Sequence, residues 1–178
     1  SNMNAHSLIL TLDMGGAKLK SLSSLRQMNW GDKLDLDGTA MPVAQTQRIT
    51  SYKGYSQELQ LSGQALNDKL NYVTGLFYFH EKGDTLNPQT FFGGGAVYDS
   101  QYGSHTTAYA AYAQADYKLT DALTLTLGGR YTHEKKDARR YLKATDQSTG
   151  FVPTVKADFP YGLFSKTYSN FSPAATLG

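Results

Sequence analysis

Side chains alternate with a period of two along most of this chain, and that period constrains the fold more than any other feature. Leu123, Leu125 and Leu127 alternate with Thr124, Thr126 and Gly128. The series continues with Tyr131 and His133 on the first side and Arg130, Thr132 and Glu134 on the second. Just before it, Ala111, Ala113, Ala115, Tyr117 and Leu119 alternate with Tyr112, Gln114, Asp116 and Lys118. Successive strand side chains point to opposite faces, so each run has one apolar and one polar face. The intervening Thr120-Asp121-Ala122 is a short hairpin connection. No segment with the period of an amphipathic helix competes.

The same long hairpin recurs. Tyr55, Leu59 and Leu61 alternate with Ser56, Glu58, Gln60 and Ser62, and a turn over Gln64 to Asp68 leads into a strand from Lys69 to Lys82. That strand is apolar on both sides, with Leu70, Tyr72, Leu76 and Tyr78 on one and Val73, Phe77 and Phe79 on the other, so periodicity does not decide its facing. Earlier, Leu8, Leu10 and Leu12 lead through Asp13 to Gly16 into a strand near Ala17 to Trp30. The last strand starts near Lys166 and alternates to Leu177. The expectation is an all-β, antiparallel chain of about seven strands, with ends placed to within roughly 2–4 residues.

The connections alternate as well. Short turns fall at Asp13 to Gly16, Gln64 to Asp68 and Thr120 to Ala122; long polar segments fall near Gly31 to Thr50, Gly83 to Ser104 and Asp137 to Ser165. Long loops on one edge of the sheet and short turns on the other are the pattern of outer-membrane barrels, whereas most soluble hairpins are short. Several strands exceed the roughly 9–11 residues that cross hydrocarbon. Tyr109, Tyr117, Tyr131 and Trp30 near strand ends are candidates for interfacial girdles.

Composition supports this reading by what it excludes. With 17 Lys+Arg against 15 Asp+Glu the net charge is +2, which gives no reason to expect nucleic acid as a partner. The absence of cysteine removes disulfide scaffolds and thiolate metal sites. No apolar stretch approaches the roughly 20 residues of a membrane helix, but a barrel strand carries its lipid face in alternation and stays polar on average. Ser1-Asn2-Met3 reads as a cloning scar, so residues 1–5 are set aside as a disordered start and residues 6–178 are taken as the folded segment.

With these strands in order, the chain resembles a known family. Ile49 to Gly63, around Ser56-Gln57-Glu58-Leu59-Gln60-Leu61, resembles a barrel strand of TonB-dependent outer-membrane receptors, and Leu70 to Phe79 resembles the strand after it. Tyr109 to Asp121 with Leu125-Thr126-Leu127-Gly128-Gly129-Arg130-Tyr131-Thr132 is similar to a later hairpin of that family, and Tyr168 to Pro173 fits as well. The matches fall in family order from about Ser21 onward. The resemblance implies a transmembrane barrel of about 22 strands with a plugged lumen, set in the bacterial outer membrane. It implies uptake of a ferric siderophore or comparable large nutrient, with energy from the TonB complex acting on the receptor's own plug. The sequence shows no plug, no TonB-binding box and no terminal aromatic residue, so the expectation is a segment of such a receptor.

Candidate sites follow. Phe91-Phe92-Gly93-Gly94-Gly95-Ala96-Val97-Tyr98, with Tyr102 beyond it, mixes aromatics and glycines as a ligand-capturing loop would, although such a composition more often marks a mobile surface loop. Its glycines lack the spacing and the following helix of a nucleotide fingerprint. Glu58, Gln114, Asp116, Arg130 and Glu134 are expected to face the lumen, and Leu123, Leu125 and Leu127 the lipid. Lys135, Lys136, Arg139 and Arg140 form a basic run that would meet lipopolysaccharide phosphates or an anionic chelate if it faces outward. His6, His80, His105 and His133 lack metal-ligand spacing. No nucleophile–base pattern points to an enzyme, and nothing calls for a cofactor. The competing reading is a soluble β-sandwich used for binding or adhesion, which also has alternating strands but leaves the one-sided long segments and the Leu/Ala face unexplained.

Overall fold

The computed structural model describes residues 1–146 and 154–178. Seven antiparallel strands form one sheet in sequence order: β1 (Asn2–Asp13), β2 (Ala17–Asp35), β3 (Ala44–Ala65), β4 (Leu70–Phe91), β5 (Ala96–Thr120), β6 (Leu123–Asp146) and β7 (Thr154–Leu177). A 3-10 turn, Phe92–Gly94, lies between β4 and β5. Each strand pairs with the next, and among the described residues β1 and β7 are the two edges of a sheet that does not close. A sandwich needs a second sheet, and all seven strands belong to this one.

The three short turns form where the sequence places them, by local chemistry. The Asp13 carboxylate accepts from the Gly15 amide at 3.0 Å, and Gly15 takes φ +86. Leu66, Asn67 and Asp68 all adopt positive φ in the β3–β4 turn, a conformation Asn and Asp tolerate better than Leu. At the β5–β6 turn the register slips between Lys118 and Thr120, and the Ala122 amide donates to Thr120 Oγ1 at 3.3 Å.

The long segments do not behave as expected. Gly31–Thr50 shrinks to the loop 36–43, because β2 and β3 pair as far as Asp35↔Gln45. Gly83–Ser104 is a β-ribbon paired out to Phe91↔Ala96. Asp137–Ser165 is mostly strand too, with β6 running to Asp146 and β7 starting at Thr154 rather than near Lys166; residues 147–153 of that segment lie outside the described residues. These outer ribbons carry polar residues on both faces, so they show no alternation, and the backbone ladder defines them. Asn2 to Ala5, expected to stand outside the fold, belong to β1 and pair with Asn29 to Arg26.

Register settles the facing of every strand. Leu125 and Leu127 share a face with Tyr117 and Ala115 on β5, then with Leu70 and Tyr72 on β4. Leu70, Tyr72, Leu76 and Tyr78 therefore lie on the apolar face, and Phe77 and Phe79 on the polar one. On β5 Thr106, Ala108 and Ala110 of the polar face are buried while Tyr109 and Ala111 are exposed. The polar face is thus the crowded side, with small residues beneath large neighbours. Trp30 lies on this face, with Arg48 over its ring at 6.0 Å, and not with Tyr109, Tyr117 and Tyr131.

Candidate functional site

The polar face carries two groups of chemistry-bearing residues. The lower one centres on Tyr112, which stands opposite Gly75 on β4 and Arg130 on β6. Having no Cβ, Gly75 leaves room for the tyrosine ring to lie across the strand: an added Cβ would come within 2.6 Å of Tyr112 Cζ. The ring thereby reaches β3, where Tyr112 OH donates to Glu58 Oε1 at 2.5 Å and accepts from Gln60 Nε2 at 3.2 Å. The Arg130 guanidinium sits over Phe77 at 5.5 Å and over Tyr112 at 6.0 Å, with its Nε donating to Thr132 at 3.1 Å. Gln114 donates to Asp116 at 3.4 Å, and Glu134 pairs with Lys136 at 3.4 Å. A shallow depression of about 350 Å3 opens between Glu58, Tyr112, Gln114 and Arg130.

The upper group lies on the outer ribbons of the same face. Phe91 and Tyr98 meet edge to face, with centroids 5.7 Å apart at 89°. With Gln89, Phe92 and Ala96 they line a depression of about 310 Å3. Phe92 is 76 % exposed and adopts φ +54 at the tip. Tyr102 stacks under Arg140 at 5.8 Å. Tyr102 is ten residues along β5 from Tyr112, roughly 34 Å at the usual strand rise. The sequence places Phe91, Phe92, Tyr98 and Tyr102 in a loop, whereas Phe91 ends β4 and Tyr98 and Tyr102 lie on β5, because the backbone ladder continues past the apolar alternation; the register puts Phe91, Tyr98, Tyr102, Glu58, Gln114, Asp116, Arg130 and Glu134 on one face. They form two groups, however, and not a single site.

Tyr112, Gln60, Phe77 and the Tyr52–Glu81 pair, bonded at 3.0 Å, were not singled out from the sequence. A signal existed: in the run from Tyr109 to Leu119, Tyr112 falls on the polar side while Tyr109 and Tyr117 fall on the apolar side. The basic run divides between faces, Lys136 and Arg140 on the polar one, Lys135 and Arg139 on the other. His80 and His105, distant in sequence, meet across β4 and β5 with ring nitrogens 3.4 Å apart. Among the described residues no cluster of three or more His, Cys, Asp or Glu is arranged to hold a metal ion.

The apolar face is organised in bands. Tyr55, Tyr78 and Tyr109 form a contact series across β3, β4 and β5, with centroids 6.1 Å and then 5.1 Å apart. Tyr131 on β6 and its cross-strand partner Phe171 on β7 continue it. Toward the short turns follow Leu59, Leu61, Leu76, Ala111, Ala113, Leu127 and Ala175, and then Tyr72 and Tyr117. From Tyr109 to Tyr117 is eight residues, or roughly 27 Å along the strand. An apolar band edged by aromatic rows on one face, with a polar face behind it, is the architecture of a transmembrane β-barrel wall.

Comparison with known proteins specifies the class. The model of the family described as TonB dependent receptor-like, beta-barrel matches residues 5–178, and the chain belongs to that family. The ferric yersiniabactin uptake receptor FyuA from Yersinia pestis superimposes with a TM-score of 0.71 at 13 % identity, over 97 % of this chain and 25 % of FyuA. The ferric citrate transporter FecA in its unliganded form gives 0.54 at 14 % identity, over 98 % of this chain and 24 % of FecA. The chain thus spans about a quarter of the length of these receptors. No curated protein matches the sequence. The family is one of transport receptors of the outer membrane.

Proposed function

We propose that this chain is part of the wall of an outer-membrane receptor that takes up a ferric siderophore or comparable large nutrient, with the apolar face against lipid and the polar face toward the lumen. One observation carries the reading: a family match over 5–178 on a sheet whose apolar face is bounded by aromatic rows. The inclination of those rows supports the facing. The ladder row through Tyr55 reaches β7 at Thr167, four residues before Phe171. Four residues of rise across four strand spacings is an inclination of roughly 35°, within the tilt of barrel strands. A girdle that is level in the membrane crosses tilted strands at this angle.

In this reading Leu123, Leu125 and Leu127 meet lipid, and Glu58, Gln114, Asp116, Arg130 and Glu134 meet the lumen and the receptor's plug, which the TonB complex acts upon. The aromatic group at Phe91, Phe92, Tyr98 and Tyr102, on the outer ribbons of the lumenal face, is the place for ligand capture, since planar rings there present a stacking surface at low entropic cost. The iron in such a ligand is cargo. Titrating the purified intact receptor with a panel of ferric siderophores and ferric citrate, by quenching of its intrinsic fluorescence, tests the proposal. Binding of one ferric chelate that weakens at least tenfold in Tyr98→Ala with Tyr102→Ala is the expected result. A receptor that binds none of the panel, and whose loss leaves iron-limited growth unchanged, would overturn it.

A further inference from the structure

Beyond the aromatic row, on the same face, the chemistry changes from apolar to cationic within two residues. Lys53 lies one step outward from Tyr55, His80 and Lys82 outward from Tyr78, His105 two steps outward from Tyr109, and His133 and Lys135 outward from Tyr131. Lys53, Lys82, His105 and Asp137 share one ladder row, with Asp84 and Arg139 in the row beyond. Lys53, Lys82, Lys135 and Arg139 carry four positive charges against two on Asp84 and Asp137, a surplus of two before any histidine protonates. The carboxylates are engaged. Burial pushes Asp84 up, but the Arg139 guanidinium bonded to it, with Lys82, outweighs this and holds it below the usual carboxylate range. The Ser165 hydroxyl first, and then Lys135, hold Asp137 down.

Two features make this more than a solvated strip. Lys53 and Lys82 stand directly opposite each other in the β3–β4 ladder, an arrangement of like charges that costs stability unless an anion lies between them. Lys53 makes no ion pair among the described residues, and the side chains of Lys82 and Lys135 remain 60 % and 55 % exposed. Lys82 and Asp84 also border two adjoining depressions of about 470 and 410 Å3, one reaching Lys53 and the other Lys135 and Arg139.

We propose that Lys53, Lys82 and Lys135 form a docking surface for the phosphorylated headgroup of an outer-leaflet glycolipid, its acyl chains lying on the apolar band and its phosphates bridging the lysines above the Tyr55–Tyr78–Tyr109 row. This rests on the apolar face being the lipid face. On that face the anions one or two residues beyond an interfacial aromatic row are lipid phosphates, whereas a soluble chelate reaches the opposite face. The long lysine stems lie along the apolar surface while their ammonium groups reach the headgroup. Each such cation near an anionic lipid surface strengthens binding roughly fivefold.

The test measures binding of fluorescent bisphosphorylated lipid A to the purified intact receptor in neutral detergent. Lys53→Gln, Lys82→Gln and Lys135→Gln combined should weaken binding on the order of a hundredfold, with β-sheet circular dichroism and ferric-ligand affinity unchanged. Lys136→Gln with Lys166→Gln, a pair on the opposite face, should leave it unaltered. Lipid A stripped of phosphate should bind the wild type as weakly as the bisphosphorylated form binds the triple variant, and inorganic phosphate at millimolar concentration should not compete. Equal binding by wild type and triple variant, equal loss in the opposite-face pair, indifference to lipid phosphates, or displacement by inorganic phosphate would each overturn the proposal. Should the triple variant lose its sheet signal, the single Lys53→Gln variant, with a roughly fivefold loss expected, decides in its place. Unchanged glycolipid binding with ferric-ligand affinity intact rejects this inference alone; unchanged glycolipid binding with lost ferric-ligand affinity means the faces are inverted, and rejects the facing as well.

Discussion

Tyr112 crosses β4 only because residue 75 is glycine, and that single absence of a Cβ links three strands through Glu58, Tyr112 and Arg130. In Gly75→Ala the ring must move and the Glu58 bond is lost, an overpacking change that costs about 1–3 kcal/mol. Gly16, where an added Cβ meets nothing within 4 Å, should accept alanine with little effect. Folding titrations of the intact receptor in bilayers compare the two, and equal tolerance would refute the bridging role. With the apolar face against lipid, as proposed, the aromatic bands also rank its positions by depth. On β6 the outer row is at Tyr131, and the inner row, at Tyr117 on β5, continues the slope to near Leu123. Leu127 therefore lies at mid-depth and Leu125 nearer the inner interface. Leu127→Arg should cost roughly 2–4 kcal/mol and Leu125→Arg less, since the penalty fades toward the interfaces. Thr126→Arg, on the polar face, should cost least of the three. A reversed order in the same titration would reject the facing or the depth.

Strands were legible in the sequence where one face is apolar and the other is not. Leu123 to Thr132 and Ala111 to Leu119 announce their pairing by alternation alone, and Asp13-Met14-Gly15-Gly16 and Thr120-Asp121-Ala122 announce their turns. Two things were not legible, each for a physical reason. Periodicity cannot orient β4, since Phe77 and Phe79 are as apolar as Leu76 and Tyr78; only the partner register shows that Phe77 lies beneath Arg130. Nor can it find the outer halves of β4, β5 and β6, where Asp84, Asn87, Gln89, Lys136 and Arg140 are polar on either face and cross-strand backbone bonds fix the ribbon. The outer loop 36–43 has its own device. Asp37 Oδ1 accepts from the Thr39 amide and hydroxyl, and its Oδ2 from the Ala44 amide at 2.6 Å. These bonds, led by that of the Thr39 hydroxyl, lower its pKa to about 2. A carboxylate depressed on folding contributes stability above its unfolded value of about 3.9 and loses it as pH falls through the folded one. Protection of the Thr39 and Ala44 amides from hydrogen exchange should therefore decline from about pH 4 to about pH 2. An Asp37→Asn variant should lack that pH dependence, and an identical decline in it would exclude Asp37 as the cause. The ends of the hairpins supply a topological check. With an impermeant maleimide on whole cells, Phe92→Cys at the exposed β4–β5 tip should label and Asn67→Cys in the β3–β4 turn should not; the reverse would invert the barrel.

At the scale of the whole sheet the decisive feature is that seven strands in sequence order leave β1 and β7 as open edges. Barrel diameter grows with strand number, and closure at the size of the related receptors takes about 22 strands. An edge strand presents a row of unpaired N–H and C=O groups, each costing several kcal/mol in hydrocarbon, so a lone sheet of this kind has no stable membrane-spanning state. In water the alternative is hardly better. Leu8, Leu10, Leu12, Leu76, Leu127, Phe171 and Leu177 are all exposed on this sheet, and an edge strand of 12 residues with exposed leucines, such as β1, is a template for pairing with another chain. The 178-residue chain by itself should therefore associate edge to edge, or stay unfolded in detergent, and should neither conduct nor transport. Joined to the strands that cover β1 and β7, the same residues should gain protection from hydrogen exchange along both edges. Planar-bilayer recording of the isolated chain decides the matter: the expected record shows no fixed conductance, and a stable unitary pore formed by the monomer would show that these seven strands close on themselves.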